Sequence, residues 1–284
     1  MASLYFVGFF ALLFCINMKT RSFACCFLPW MIYAVLYDSM RFYPNYLVND
    51  IDVQGLYEAE KSLFGFSVPG AVAADGTNVL IPGEWFNLHH WAWADILAGL
   101  FYLCWIPVPA VFALYLYFKG EKKWCFRYSA AFLVVNLVGF VGYYLHPASA
   151  PWYVMLHGFE PVVGTPGNMA GLARFDEMTG LSIFHVLYNA NANVFAAVPS
   201  LHASYLVVPT IYAIMSKRRW YASCIFAFIG VGIWVTAVYT GHHYIIDVLL
   251  GILTALVGVL LFEGINHHLR RHRHHHPHHD GPLA

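Results

Sequence analysis

The chain has 284 residues, of which 60% are hydrophobic and only 11% are charged, and its formal net charge is zero. Soluble domains are about a quarter charged, so this composition excludes an ordinary soluble protein. An integral membrane protein is the leading class, and no nucleic-acid partner is expected.

Seven apolar stretches are predicted to form transmembrane helices, because a bilayer core of about 30 Å needs about 20 apolar residues per helix. They cover residues 3–18, 22–40, 91–118, 125–145, 199–216, 220–240 and 244–264. The first two are short, and one of them has an interfacial position as its alternative. The first lacks the positive start and the A-x-A site of a signal peptide, so we expect a retained helix. In the third, Pro107 and Pro109 predict a kink or a tilt.

Basic residues alternate between the loops. Of the 15 Lys and Arg residues, 12 lie in every second loop and in the tail, namely Lys19, Arg21, Lys119, Lys122, Lys123, Arg127, Lys217, Arg218, Arg219, Arg270, Arg271 and Arg273. Lys and Arg mark the cytoplasmic side. The pattern therefore predicts an outer N-terminus, a cytoplasmic C-terminus and non-cytoplasmic loops at 41–90, 146–198 and 241–243.

The cysteines and the C-terminal end carry little functional signal. The six cysteines lie in predicted helices or near the cytoplasmic edge, so no disulfide framework is expected. Residues 265–284 are basic and rich in histidine, and we expect a disordered cytoplasmic tail outside the fold. Such a tract binds metal ions adventitiously, but no dedicated metal site is predicted.

The stretch "GHHYIID" (241–247) places His243 and Asp247 four residues apart. If a helix begins here, both side chains lie on one face, one turn apart. The carboxylate then accepts an N–H from the imidazole, which fixes the tautomer and leaves the other ring nitrogen basic. This is the arrangement of a nucleophile with an orienting group, although two such residues also occur as part of a zinc site with a third ligand.

The stretch "AVPSLHAS" (197–204) places His202 at the outer start of another helix. Ser200 offers a hydroxyl group, and the N–H groups of a first helical turn bind anions. Two helix starts, each with a histidine, are predicted to converge on one phosphate. Histidine can attack phosphorus and can shuttle protons near neutral pH, so phosphoryl chemistry through a phosphohistidine is indicated.

These two motifs, "PSLHAS" and "HHYIIDVLLG", resemble those of the type 2 phosphatidic acid phosphatase superfamily, whose pattern is PSGH followed by SR-x5-H-x3-D. "SAPWY", "GLARFD" and "VPSLHA" extend the likeness toward the inositol phosphorylceramide synthases over residues 140–255. The resemblance implies an all-α integral membrane protein with about seven transmembrane helices around a six-helix core. It implies one catalytic domain over 1–264, with the core at about 91–264.

The resemblance also implies roles for the motif residues. His243 is the expected nucleophile, Asp247 its partner, and His202 the acid–base that protonates the leaving group, while Ser200 holds the phosphate. No cofactor and no metal are expected.

The chain departs from the superfamily pattern at the expected cations. Gly139 stands at the expected upstream lysine, Leu201 at the glycine of PSGH, and Ala237 at the arginine of SR. The expected Arg-Pro resembles His146-Pro147. Fewer cations suit a phosphodiester, which carries one negative charge, better than a phosphomonoester. We expect Arg174, with His146 or His242, to supply the remaining positive field at the phosphate; the alternative for Arg174 is a surface position.

Together these features predict a membrane transferase that moves a phospho-headgroup, such as inositol phosphate, from a glycerophospholipid to a lipid alcohol such as ceramide. Trp152 and Tyr153 of "APWY", together with Tyr244, are predicted to line the substrate pocket, with an interfacial aromatic belt as the alternative for "APWY". The rival functions are a lipid phosphatase with water as acceptor and a non-catalytic lipid-binding protein. The sequence neither predicts nor excludes an accessory subunit.

Overall fold

The computed structural model describes residues 2–189 and 193–275, and its regular structure there is α-helical apart from short 3-10 turns and one two-stranded hairpin. The first seven helices are α1 (Ala2–Ile16), α2 (Met18–Ser39), α3 (Gln54–Phe64), α4 (Pro82–Leu88), α5 (Ala92–Tyr102), α6 (Pro107–Phe118) and α7 (Lys122–Leu145). They are followed by α8 (Pro151–His157), α9 (Ala173–Thr179), α10 (Ile183–Asn189), α11 (Leu201–Ser204), α12 (Val207–Met215), α13 (Trp220–Tyr239) and α14 (Ile245–His275). The hairpin pairs β1 (Phe66–Ser67) with β2 (Val79–Leu80).

The all-α membrane fold is confirmed, with a correction to the number of full-length spans. Five helical segments in the described chain are long and apolar enough to cross a membrane, namely Met18–Phe42, Ala92–Phe118, Lys122–Leu145, Trp220–Tyr239 and Ile245–Arg271. The segments predicted at 3–18 and 199–216 form the shorter apolar helices Tyr5–Ile16 and Leu201–Met215. A 15-residue helix rises only about 22 Å, which is less than the thickness of a bilayer core.

Two predicted helices are broken near the site. The segment 91–118 divides into α5 and α6, and the break ends at Pro107, whose ring disfavours helical backbone in the preceding residue. The segment 199–216 divides into α11 and α12 at Tyr205 and Leu206. In the segment 91–118, the kink predicted from the prolines is therefore a complete break between two helices.

The last helix continues beyond its predicted end. α14 runs on to His275, so the first part of the segment predicted as a disordered tail is helical. Arginines in the last turns favour this extension, because cations stabilise the negative end of a helix dipole. Residues 276–284 of the predicted tail lie outside the described residues.

The helices pack around α7, which lies between α2 and α14. Glycine permits the close approach of α14, since a Cβ atom on Gly258 would lie 2.7 Å from a methyl carbon of Val135. At the end of the bundle remote from the two histidine motifs, Arg127 pairs with Glu263 and Arg218 pairs with Glu121. The basic loops therefore gather at one end and the histidine motifs at the other.

A cap of short helices covers the histidine end. It is formed by the chain segments 43–91 and 146–198, which join the long helices. These segments share a second hydrophobic cluster, in which Tyr57 of α3, Tyr153 of α8 and Phe195 are fully buried together with Tyr244. The cap thereby fixes the loop that carries His243.

Candidate active site

The two motif histidines are in direct contact. Nε2 of His243 lies 3.1 Å from Nδ1 of His202, although the two residues are 41 positions apart in the chain. His243 lies in the turn between α13 and α14, and His202 lies in α11 at the same end of the bundle. The side chain of His243 is only 7% exposed. The structure thus brings together the two histidines that the sequence paired.

Asp247 lies behind His243, in the first turn of α14. Its Oδ2 atom is 3.4 Å from Nδ1 of His243 and accepts the backbone N–H of Tyr244 at 3.0 Å. Asp247 is fully buried. The carboxylate therefore faces the nitrogen of His243 that is turned away from His202, as the spacing of the two residues predicted.

Ser200 joins the two helix starts. Its backbone N–H donates to the carbonyl oxygen of Asp247 at 3.0 Å, and its hydroxyl caps α11 by accepting the N–H of Ala203 at 3.3 Å. A Cβ atom on Gly251 would lie 2.1 Å from the carbonyl oxygen of Ser200. Glycine at this position is what lets α14 approach the start of α11, so that Asp247 and His202 belong to one site.

Glu60 is a site component that the sequence analysis missed. Glu60 lies in α3, within the cap of short helices, and is 1% exposed. Its two carboxylate oxygens accept the backbone N–H groups of Ile245 at 2.9 Å and Ile246 at 3.1 Å. Burial raises the pKa of Glu60, and the two N–H groups oppose that rise. Glu60 therefore caps the helix start between His243 and Asp247.

A cavity lined by aromatic and amide side chains opens at the histidine pair. Its walls include Tyr33, Tyr37, Met40, Trp105, Tyr143, Trp152, Asn168, Tyr188, Asn193, Tyr205, His202, His242 and His243. Its described lining contains three histidines but no Lys, Arg, Asp or Glu. Trp105 packs edge-on against His202 with ring centroids 4.6 Å apart. The cavity therefore presents histidine, tyrosine and amide side chains and π faces to whatever it binds, without a lysine or an arginine in the described lining.

His242 and Trp152 line this cavity as predicted, but Tyr153 and Tyr244 do not. Thr240 Oγ1 lies 2.9 Å from Nδ1 of His242, whose Nε2 atom is buried without a hydrogen-bond partner. The hydroxyl of Tyr153 instead donates to the carbonyl of Glu160 and accepts the N–H of Val162. Because Tyr153 and Tyr244 pack in the hydrophobic cluster of the cap, the predicted pocket role is corrected to a supporting one.

Arg174 is only partly buried, with its side chain 18% exposed, and it does not line the cavity. Its Nε donates to Oδ1 of Asp95 at 2.7 Å, and its guanidinium lies 5.5 Å from the ring centroid of Tyr239. The hydroxyl of Tyr239 donates to the same oxygen of Asp95 at 2.9 Å. The predicted contact of Arg174 with phosphate is therefore absent from the described geometry, because the buried carboxylate of Asp95 holds the guanidinium between α5 and α13.

His146 is likewise outside the cavity lining. Its Nε2 lies 3.2 Å from Oδ2 of Asp52, and its side chain is half exposed. The backbone of Asp52 pairs with Pro147 and Ser149 on the same strand-like segment. His146 thus joins two parts of the cap, and the structure does not bring it to the histidine pair.

The departure at Gly139 has a structural explanation. A Cβ atom on Gly139 would lie 2.5 Å from a methyl carbon of Leu201. Leu201 is 4% exposed and lines the cavity. The two departures from the superfamily pattern therefore occur as a contacting pair, in which the leucine side chain fills the space next to the glycine.

Within residues 2–189 and 193–275, no group of three or more His, Cys, Asp or Glu side chains is placed to hold a metal ion.

Known proteins match this chain over most of its length. The family model of the PAP2 superfamily matches residues 73–261. The phosphoinositol dihydroceramide synthase of Bacteroides thetaiotaomicron is 56% identical over 263 residues, which is 93% of this chain and 82% of that protein.

Fungal proteins are more distant relatives. The inositol phosphorylceramide synthase of Candida albicans is 27% identical over 242 residues, or 83% of this chain and 46% of that protein. The catalytic subunit of the same enzyme in Schizosaccharomyces pombe is 28% identical over 236 residues, or 79% of this chain and 50% of that protein. The matched region thus spans about half the length of these fungal relatives. No solved structure is significantly similar to the chain.

Proposed function

Because the chain belongs to the PAP2 superfamily, as its two histidine motifs predicted, we propose that it transfers the phosphoinositol headgroup of phosphatidylinositol to a ceramide-type lipid alcohol. The observation that carries this proposal is the contact of 3.1 Å between His243 Nε2 and His202 Nδ1, with Asp247 behind His243. The bacterial relative is a phosphoinositol dihydroceramide synthase and the fungal relative is an inositol phosphorylceramide synthase, which supports the choice of headgroup and acceptor.

The first step forms a covalent intermediate on His243. Its Nε2 lone pair attacks the phosphorus of the donor lipid, and the bond from phosphorus to the diacylglycerol oxygen breaks. His202 gives its proton to that leaving oxygen. The carboxylate of Asp247, whose Oδ2 lies 3.4 Å from Nδ1 of His243, stabilises the positive charge that develops on the ring. Entry of the phosphate between the two rings separates them from their direct contact.

The second step transfers the headgroup to the acceptor. His202, now neutral, takes the proton from the hydroxyl group of the lipid alcohol. The alcohol oxygen attacks phosphorus, the bond from phosphorus to Nε2 breaks, and the new phosphodiester leaves. His243 and His202 return to their starting protonation states, so the cycle consumes no water and no cofactor.

The lack of lysine and arginine in the described lining of the cavity supports a phosphodiester donor. A phosphomonoester dianion needs fixed cations to stabilise its charge, whereas a diester carries a single negative charge. The described lining provides histidine, tyrosine, tryptophan and asparagine side chains instead. Glu60 and Arg174 act in this scheme as positioning residues, since neither lines the cavity.

The aromatic walls support transfer over hydrolysis. Water that reaches the phosphohistidine competes with the lipid acceptor, so the site must exclude it. The cavity reaches Tyr33, Tyr37 and Met40, which lie in the segment Met18–Phe42 of spanning length. In this scheme both lipids enter sideways from the bilayer. The alternation of basic loops supports a non-cytoplasmic position for this end of the bundle.

The test uses purified protein in mixed micelles with phosphatidylinositol and a fluorescent ceramide, and products are separated by chromatography. We expect a new polar fluorescent lipid from the wild type and none from His243→Ala. The matched control is His267→Ala, which changes an exposed histidine at the other end of α14 and is expected to retain activity. Release of phosphate from phosphatidate without that product would instead identify a lipid phosphatase and overturn the proposal.

A further inference from the structure

A groove at the opposite end of the bundle combines an apolar trough with a basic rim. It lies between α6 and α13 and has a volume of about 690 Å³. Its apolar and aromatic walls are Pro107, Val108, Val111, Phe112, Tyr221, Ala222 and Phe226, with Tyr115 near the rim. Its rim carries Lys119 after α6 and the run Lys217, Arg218 and Arg219 before α13.

Three of the four rim cations have no carboxylate partner. Arg218 donates to both oxygens of Glu121, at 2.9 and 2.7 Å, so its charge is compensated. Within residues 2–189 and 193–275, no Asp or Glu oxygen lies within ion-pair distance of Lys119, Lys217 or Arg219. The rim therefore presents an uncompensated positive charge to one mouth of the groove.

The trough faces the bilayer. Val111 is 61% exposed although it lies within a membrane-spanning segment, and Phe112 and Phe226 form the floor with ring centroids 5.1 Å apart. An apolar groove at membrane depth is filled by hydrocarbon. A soluble anion would use only the rim and would leave these walls without a role.

The groove is separate from the active site. α6 begins just after Trp105, which contacts His202, and it ends at Phe118 next to the rim. Its 12 residues rise about 18 Å, so the rim lies at the far end of α6 from the histidine pair. A lipid held at the rim does not reach the reacting phosphorus.

We propose that this groove binds an anionic glycerophospholipid of the cytoplasmic leaflet, with its phosphate at Lys119, Lys217 and Arg219 and an acyl chain along the trough between α6 and α13. The charge at the mouth and the apolar walls behind it match the two ends of such a lipid. The proposal concerns a bound lipid that is not a reactant, and it stands whether or not the proposed transfer is correct.

Native mass spectrometry of the full chain with phosphatidylglycerol and with phosphatidylcholine tests the proposal. We expect preferential retention of phosphatidylglycerol. The combined variant Lys119→Ala/Lys217→Ala/Arg219→Ala is expected to weaken that binding roughly 100-fold, because each cation near the membrane surface contributes a factor of about five. The matched control Lys122→Ala/Lys123→Ala/Arg270→Ala removes equal charge at the same end and should bind like the wild type.

A second variant tests the trough without altering charge. Ala222→Trp fills the groove and is expected to reduce retention of phosphatidylglycerol while the melting temperature stays close to that of the wild type. Wild-type retention by Ala222→Trp would overturn the proposal. An equal loss in the control triple variant, or no preference of the wild type for the anionic lipid, would do the same.

Discussion

Replacement of Glu60 by alanine should disable the site from a distance. The change removes the two carboxylate oxygens that accept the N–H groups of Ile245 and Ile246. Glu60 itself is only 1% exposed. A buried backbone group that loses its partner costs about 1–3 kcal/mol, so two such groups cost about 2–6 kcal/mol. This cost falls at the start of α14, where His243 and Asp247 are held.

The assay compares thermal unfolding in detergent with the initial rate of headgroup transfer. We expect Glu60→Ala to lower the melting temperature and to reduce kcat more than it changes KM, because Glu60 does not line the cavity. The control is Glu58→Ala, which changes an exposed glutamate in the same helix. If Glu60→Ala had the melting temperature and the rate of the wild type, the helix start would not depend on this cap.

The pKa of Glu60 adds a pH dependence to the same prediction. Burial raises this pKa in the folded state, so folding favours the protonated form. The contribution of Glu60 to the free energy of unfolding is therefore fully present below the pKa of this residue in the unfolded chain, which is about 4.3. It is lost as the pH rises through the pKa of Glu60 in the folded protein. Glu60→Gln cannot ionise and should remove this part of the decline in melting temperature. If the melting temperature of Glu60→Gln depended on pH as that of the wild type does, Glu60 would not be the group that causes the decline.

Further predictions concern the histidine pair, the partly buried Arg174 and metal ions. His202→Ala should reduce transfer by about 10²–10⁴-fold, as expected for loss of a general acid–base, and a wild-type rate would remove it from the mechanism. Arg174→Lys should lower the melting temperature with little change in KM for the donor, because lysine cannot reproduce both the Nε contact with Asp95 and the packing on Tyr239; a large KM effect alone would place Arg174 at the substrate. A chelator should leave the transfer rate unchanged, whereas loss of activity that zinc restores would contradict the metal-free scheme.

Local patterns in the sequence were sufficient for the membrane class and for the proximity of His202, His243 and Asp247. The four-residue spacing predicted that the side chains of His243 and Asp247 lie close together. The structure places Oδ2 of Asp247 3.4 Å from Nδ1 of His243, although His243 lies in the turn before α14 and not on its face. The contact with His202 followed from two helix starts at the same end of the bundle. Each of these inferences depends on residues that are close in sequence or on the alternation of the loops.

Long-range contacts explain what the sequence analysis missed. Glu60 lies 185 residues before Ile245, and a single glutamate in a polar segment carries no local sign of a helix cap. Arg174 was expected at the phosphate because no pattern reveals that Asp95, 79 residues away, holds it. The proline positions predicted a kink or a tilt at 91–118, and the structure has a full break that ends at Pro107.

The most direct test of the central claim is to detect the covalent intermediate. Wild-type protein is incubated with phosphatidylinositol in the absence of any lipid alcohol, quenched without acid to preserve a phosphohistidine, and measured by intact and peptide mass spectrometry. The account predicts a phosphoinositol adduct on His243 that is absent from His243→Ala and disappears when ceramide is added. Efficient transfer with no adduct on His243, or with an adduct on another residue, would contradict it.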